Sequence, residues 1–505
     1  MKTNIKFILS GIFATSLVCA SCSKDMLKEN LYSQVGATNV SGPQGAALLT
    51  NGIYPYIQFL SYNGGNNWLL TTEANTDEFF CNWGGTPETG WAGAQNFLNL
   101  DASHSMVGLI WDSLYKIVTQ SNAVVTQYGS FTDAPTIQNV AQARFWRAYA
   151  YQKLYSVYGP VPLVKGGEDL SKGIAKATKA DMETFIEAEM KAIEAVLPAT
   201  YSSSDYGRPS KWAVKAFLAR FYLNQKNWQK ASDYAKDVIT NSGAGLQTDY
   251  ASVFSKDGNS EILLAVNEIA QAGKGNKYVA LSMESNVRDA LGITGVSASN
   301  GYGMSTPFFR TFASGDLRAA PFDAATKTGI MVSGVLRKAD GSPVFGTAAN
   351  PVTVEQQLSR VLSFKFPVQA NIPNGEDADA DVPLLRLGET YLSYAEAQNE
   401  LGNTPEALNY VNPLRRRAHV VELSGLSQAA ARTAILNERG WETYHEGYRR
   451  EDLVRAGLLL SKVAEKYQFY MGKPMSWANN SDRLLLPIPT TALQLNSLLK
   501  QNTGY

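Results

Sequence analysis

Two helical hairpins with the same internal spacing constrain this chain more than any other feature. Residues 211–224 followed by 228–240, and 385–401 followed by 404–419, carry apolar side chains at helical period. In the first hairpin Ala219 and Ala231 stand twelve residues apart, and in the second so do Ala395 and Ala407. Small residues at that offset let two antiparallel helices approach closely, as in tetratricopeptide repeats. Leu218 and Tyr222 add the apolar and aromatic residues of that pattern. An ordinary antiparallel pair with alanine at its contact would show the same two matches. Either way the chain is predicted to be mostly α.

More helices follow from periodicity and stop signals. Trp111, Leu114, Tyr115 and Val118 share one face of a helix starting near Ile110. A second covers 136–158 and ends at Gly159-Pro160, a glycine cap followed by proline. A third covers 179–195, and 427–456 reads as a long charged helix with a break near Gly440 or Gly447. Between 255 and 383 the periodicity fades, and Gly, Ser, Ala, Asn and Pro predict loops, short strands and a few short helices.

Composition narrows the function. The chain has 505 residues, 45% apolar and 18% charged, enough for a large core. Forty-five bases balance 45 acids, so the basic footprint of a nucleic-acid binder is missing. Three cysteines, two within the first 22 residues, and three histidines leave little for a disulfide framework, a zinc or iron–sulfur site, or histidine-based catalysis.

The first segment is an address. Lys2 and Lys6 precede an apolar stretch from Phe7 to Ala20, too short for a stable membrane span. It ends in Cys-Ala-Ser-Cys, and small residues before Cys22 fit a bacterial lipoprotein cleavage site. Cys19 departs from the leucine usual at its position. Residues 1–21 are therefore read as a signal peptide and Cys22 as the acylated first residue, holding the domain on a membrane surface.

From Glu29 to Tyr115 no Lys or Arg occurs. Within 61–100 lie seven Asn and seven aromatics, punctuated by Gly64-Gly65, Gly84-Gly85 and Gly90. A sugar presents an apolar ring face and a hydroxyl rim, which suits flat aromatics edged by amides and carboxylates. Trp83 and Trp91 beside glycines, with Asn82, Trp68 and Asp77, form the first candidate patch. Tyr278, Arg288, Asp289, Tyr302 and Phe309 form the second.

Several motifs, spread in order over most of the chain, resemble the SusD/RagB family of Bacteroidetes surface lipoproteins. Arg144-Phe-Trp-Arg-Ala-Tyr-Ala-Tyr, followed by Tyr158-Gly-Pro-Val-Pro-Leu-Val164, is similar to the family's Arg-Ala-Tyr helix and Gly-x-Val-Pro-Leu turn. Leu385-Arg-Leu-Gly-Glu-Thr-Tyr-Leu, Asn412-Pro-Leu-Arg-Arg-Arg-Ala418 and the run from Glu438-Arg439 to Arg455-Ala-Gly457 resemble its C-terminal motifs. So do Leu486-Pro-Ile-Pro489 and the terminal Gln501-Asn-Thr-Gly-Tyr505. Glu73 with Asp77-Glu78 resembles the acidic stretch before the family's ligand loop.

The resemblance implies one domain over 22–505. Four tetratricopeptide-like units would form its scaffold, over about 105–255 and 384–460, with loop-rich ligand-binding portions over about 55–104 and 256–383. It also implies a non-enzymatic protein of the outer-membrane surface. Such a protein caps a SusC-like TonB-dependent transporter and holds an oligosaccharide, or in some members a peptide, for import.

Other readings remain open at this stage. A glycoside hydrolase would need two carboxylates facing one sugar, with Asp77, Glu78 and Glu88 nearest the aromatic loop. A tetratricopeptide scaffold binding only protein partners would use its concave face instead. The charged run 438–455 is expected to form ion pairs along a helix, Glu446 with Arg450 and Asp452 with Arg455. His445-Glu446 lacks a second histidine for a zinc-protease motif, because Arg449 stands there. Asp377, Asp379 and Asp381 begin like a calcium loop, but Val382 and Gly388 replace its required Gly and Glu. No cofactor is predicted, and a structural Ca²⁺ elsewhere is not specified by any pattern. Cys81 reads as a packed thiol.

Overall fold

Helix boundaries follow local chemistry throughout the chain. The computed structural model describes residues 41–81, 83, 91–255, 257–290, 292–321, 329–332, 361–369, 372 and 374–505. The leader 1–21, Cys22 and Asn82 lie outside these residues.

The main helices are α1 (Gly42–Asn51), α2 (Trp68–Ala74), α3 (Ser105–Tyr128), α4 (Ala134–Tyr158), α5 (Lys179–Ile193) and α6 (Lys211–Asn224). They continue with α7 (Trp228–Asn241), α8 (Leu387–Glu400), α9 (Thr404–Arg417), α10 (Gln428–Thr443), α11 (Arg449–Ala456) and α12 (Leu459–Met471). Asp133 caps α4 through the Thr136 N–H, with proline in the first turn. Thr178 and Asp181 form a reciprocal capping box on α5. Gly159 ends α4 at φ +69°, a conformation that favours glycine.

Helix α3 packs on α4 and α4 on α5, while α6, α7 and α8 stack in turn and α8 also carries α9 and α10. Ala219, Ala231, Ala395 and Ala407 are all buried between these helices, as the twelve-residue spacing predicts. The mostly helical scaffold of stacked hairpins therefore stands.

Strands gather in the loop-rich portions. β1 (Phe79–Cys81), β3 (Tyr302–Met304), β5 (Val361–Phe364) and β4 (Gly329–Val332) form one antiparallel sheet in the order β1-β3-β5-β4. Phe79 lies opposite Met304, Cys81 opposite Tyr302, and Met304 opposite Val361. A second sheet pairs β2 (Ile262–Val266) with β6 (Val382–Arg386). Asn96 brackets buried Cys81, accepting from its N–H at 2.9 Å and donating to its carbonyl at 2.7 Å.

The long charged helix is interrupted. α10 ends at Thr443, and α11 begins at Arg449. Between them His445 takes φ +59° and Gly447 φ +81°. A Cβ on Gly447 would lie 2.7 Å from Leu69 Cδ2, so this turn needs glycine. The break corrects the expected Glu446–Arg450 pair: Arg450 donates instead to the Ser156 carbonyl at 3.0 Å and to the Leu484 carbonyl. Asp452 and Arg455 do pair, at 2.9 Å.

The charges of the C-terminal motifs are not a solvated face; they fill the interior. Arg386 joins Glu446 at 2.6 Å, Glu442 at 2.8 Å and Glu261 at 3.0 Å, all fully buried. Arg318 joins Glu438 at 2.6 Å and Asp316 at 2.8 Å, and Arg415 takes the other Glu438 oxygen at 2.6 Å. Burial alone would raise the Glu442 pKa, but Arg417, Arg386 and Arg318 hold it down at about 2. A second buried network links Arg220 to Glu389 and Glu451, and Arg439 to Glu389 and Asp452. Within these two networks Arg386, Arg318, Arg220 and Arg439 each have several charge-assisted partners, which offset their desolvation.

Candidate functional site

One loop gathers members of both predicted patches. Residues 299–301 run beside the short helix Tyr278–Ser282. Ser299 N–H donates to the Ala280 carbonyl at 3.0 Å and Gly301 N–H to the Leu281 carbonyl at 2.8 Å. Trp83 reaches this loop through its indole N–H, which donates to the Ser299 carbonyl at 2.9 Å. Its ring packs on Tyr302 with centroids 5.1 Å apart. Gly65 and Gly301 flank it, and a Cβ on Gly301 would come within 2.1 Å of the indole. Trp83 is half-buried, so the loop pins the ring while leaving part of it uncovered. Arg288 meets the chain three residues before Ser299, donating to the Val296 carbonyl at 3.4 Å while its guanidinium pairs with Asp289 at 2.9 Å. Trp83 and the Arg288–Asp289 pair therefore share one short segment.

The other candidates are placed elsewhere. Trp68 is only 2% exposed, and the Lys153 ammonium sits 5.3 Å above its ring. Tyr278 is buried, its hydroxyl 2.7 Å from His445 Nδ1. Tyr302 is buried as well and donates to the Gly65 carbonyl at 2.8 Å. All three rings are buried, and of them Tyr302 is the one that packs under Trp83. The reason is local: Trp68 opens the wholly buried helix α2, and Tyr302 lies in the wholly buried strand β3. Phe309 is half-buried against the main core. Trp91 donates to Ser105 Oγ at 2.9 Å and stacks on His104 at 5.7 Å, beside the N-terminus of α3. Asn82 lies outside the described residues.

The acids before the loop are structural. Asp77 is gripped by Arg449 through two contacts, at 2.8 and 2.7 Å. Burial alone would raise its pKa, but the Arg449 guanidinium holds the carboxyl below its usual range. Burial lifts Glu78 well above the usual carboxylate range, and neighbouring Glu73 raises it further. Glu73 itself is raised by burial. Glu78 accepts from the His445 N–H at 2.9 Å, and Glu73 accepts from the Gly447 N–H. The acidic stretch thus ties the α10–α11 break to strand β1. Two carboxylates so held cannot flank a sugar in the manner of a glycosidase. Glu88, the third acid of that reading, lies outside the described residues. Asp377 accepts from the Gly273 N–H at 3.2 Å and the Gly275 N–H at 3.0 Å, and Asp381 accepts from the Glu268 N–H at 2.8 Å. The aspartates of the rejected calcium loop hold backbone instead.

Sequence reasoning missed the backbone half of the site. Ser299 contributes a carbonyl and Gly301 contributes the absence of a side chain, neither of which composition can announce. Asn63 was visible only as one amide among seven. Its Nδ2 donates to the Gly273 carbonyl at 3.1 Å and to Gln58 Oε1 at 3.3 Å, fixing the loop that carries Gly65.

Comparison with known proteins agrees with this architecture. A family model described as the SusD family matches residues 344–505. Another, described as starch-binding and associating with the outer membrane, matches residues 47–223. SusD-like protein P25 of Formosa agariphila is 26% identical over 440 residues, covering 78% of this chain and 79% of that protein. The starch-binding protein SusD of Bacteroides thetaiotaomicron is 26% identical over 492 residues, covering 85% of each. Among solved structures, a laminarin-binding SusD-like protein superimposes with TM-score 0.72 at 21% identity, over 91% of this chain and 99% of that one. A SusD homologue from Bacteroides thetaiotaomicron gives TM-score 0.75 at 18% identity, over 94% and 99%. These likenesses extend over both halves of the helical scaffold and the loops between them, and the chain belongs to the SusD family.

Proposed function

We propose that this protein is a cell-surface lipoprotein that holds an oligosaccharide at Trp83 and passes it to a SusC-like TonB-dependent transporter of the outer membrane. The observation that carries the reading is the presentation of Trp83, an indole pinned to Ser299 yet partly uncovered. A fixed flat ring stacks on a sugar face without losing freedom on binding. Arg288 and Asp289, on the short helix Ser285–Ala290, are polar partners for hydroxyl groups, Arg288 donating to the Val296 carbonyl three residues before Ser299. The relatives support the ligand class, since one is named for starch and a structural neighbour for laminarin. The Cys-Ala-Ser-Cys end of the leader supports acylation at Cys22, and one matched family model is described as associating with the outer membrane. The role is binding without turnover, in keeping with the locked state of Asp77 and Glu78.

Migration on native gels cast with starch, laminarin, xylan or mannan tests the ligand class. Retardation in one of these, lost in Trp83→Ala, is expected, with no release of reducing sugar. Retardation unchanged by Trp83→Ala would remove the site from this loop. Cell fractionation of Cys22→Ser and co-purification of a TonB-dependent transporter test the anchor and the partner.

A further inference from the structure

A furrow on another part of the surface has the chemistry of a sugar site and contains none of the predicted ligand-binding residues. It consists of two cavities with a shared wall. The first, about 450 Å³, is lined by Tyr54, Trp146, Asn267 and Lys274 among others. The second, about 570 Å³, is lined by Tyr201, Arg208 and Asp257 among others. Tyr206, Gly207 and Ala265 line both. Each volume falls within the range of about 300–1,000 Å³ typical of small-ligand sites.

Its walls are already held in place. The Tyr206 hydroxyl accepts from the Gly258 N–H at 3.2 Å, and Gly258 lies so near the ring that a Cβ there would touch it at 3.6 Å. Gly207, at φ +87°, turns the chain directly after this ring. On the first cavity's wall, Tyr54 donates to Gln142 Oε1 at 2.9 Å and meets Trp146 edge-on at 6.0 Å. Arg208 lies 5.5 Å above the Tyr54 ring and bonds Asp205 at 2.8 Å, Gln142 at 2.8 Å and Asn51 at 3.0 Å. Trp146 itself is buried, so the half-buried Tyr54 and Tyr206 rings are the faces that suit a pyranose.

The rim supplies amides and hydroxyls. Asn51 and Gln58 line the first cavity with Asn267, and Ser202 and Ser203 line the second. Arg208 is paired with Asp205, and Lys274 lines the first cavity while Asp257 lines the second. Among the described residues the two cavities carry no cluster of like charge, and an uncharged polyhydroxyl ligand finds ring faces and amide edges.

We propose that this furrow is a second oligosaccharide site, with the glycan crossing Tyr206 so that sugar units occupy both cavities. The proposal rests on the oligosaccharide reading above. It differs in place: the loop that carries Gly65 touches the furrow at its edge, through the Asn63–Gln58 hydrogen bond.

Calorimetric titration of the chain from residue 23 onward with maltoheptaose, laminarihexaose, xylohexaose and mannohexaose tests it. Two glycans per chain are expected for at least one of these, falling to one in Tyr206→Ala and to one in Trp83→Ala. Asn267→Ala, at an exposed position, is expected to weaken the second site roughly tenfold without lowering the melting temperature. It keeps the test informative where Tyr206→Ala unfolds. A single site lost in Tyr206→Ala and intact in Trp83→Ala would support the furrow and move the main site there. One glycan per chain, lost in Trp83→Ala and unchanged in Tyr206→Ala and Asn267→Ala, would overturn the second site and leave the proposed function standing. No binding of any of the four would overturn both.

Discussion

Gly301 holds Trp83 by what it lacks: a Cβ at this position would lie 2.1 Å from Trp83 Cε2, inside the indole. The ring that carries the proposed function therefore depends on a backbone position that presents no chemistry of its own. Gly301→Ala is expected to displace Trp83 and weaken glycan binding at least tenfold, comparable to Trp83→Ala. Thermal unfolding checks that the fold survives loss of the Trp83–Tyr302 contact. Unchanged affinity in Gly301→Ala would mean that the ring position is irrelevant to the ligand.

Arg386 is joined to Glu261, Glu442 and Glu446 in the ionic core, with no exposure. Arg386→Met leaves three carboxylates short of a counter-charge in the interior. A loss of about 3–5 kcal/mol in denaturant unfolding is expected. Arg416, whose side chain is 65% exposed in its pair with Glu422, is the control. Arg416→Ala is expected to cost less than about 1 kcal/mol.

Glu268 makes stability fall with rising pH. It is 2% exposed, and burial lifts its pKa to about 8. The folded chain keeps a proton here that the unfolded chain releases above the ordinary carboxylate pKa of about 4.3. Between that value and about 8, each pH unit is expected to remove about 1.4 kcal/mol at this group. Glu268→Gln keeps the shape without the ionisation, so its unfolding free energy should be flatter over this window. Identical pH slopes in the two proteins would show that Glu268 is ionised in the folded state.

Ala395 and Ala407 share one buried cluster between α8 and α9, each with no exposed surface. Ala395→Leu forces extra volume into that contact and is expected to destabilise by about 1–3 kcal/mol, read by thermal unfolding. Ala429→Leu, on the exposed face of α10, is the control for helix propensity and should lie near zero.

The helical scaffold was legible because its signals are local. Period, caps and the alanine spacing all lie within one hairpin, so 211–241 and 387–417 could be read directly. The charged run was legible as structural but not as interior. Helical spacing offered Glu446–Arg450, whereas Gly447 breaks the helix and Glu446 turns to Arg386, sixty residues away in sequence. The site was legible only as a composition. Trp68 and Trp83 look alike in sequence, and burial separates them because Trp68 begins a helix packed on all sides. The partner of Trp83 is the carbonyl of Ser299, across 216 residues. No pattern in the sequence links a tryptophan to a distant backbone oxygen.

The most direct test of the account is calorimetric titration of wild type and Trp83→Ala with the glycan identified on the native gels, alongside their melting temperatures. Loss of the Trp83 binding event at an unchanged melting temperature is the predicted result. Wild-type binding in full in the Trp83→Ala variant would contradict the assignment of this ring as the ligand platform.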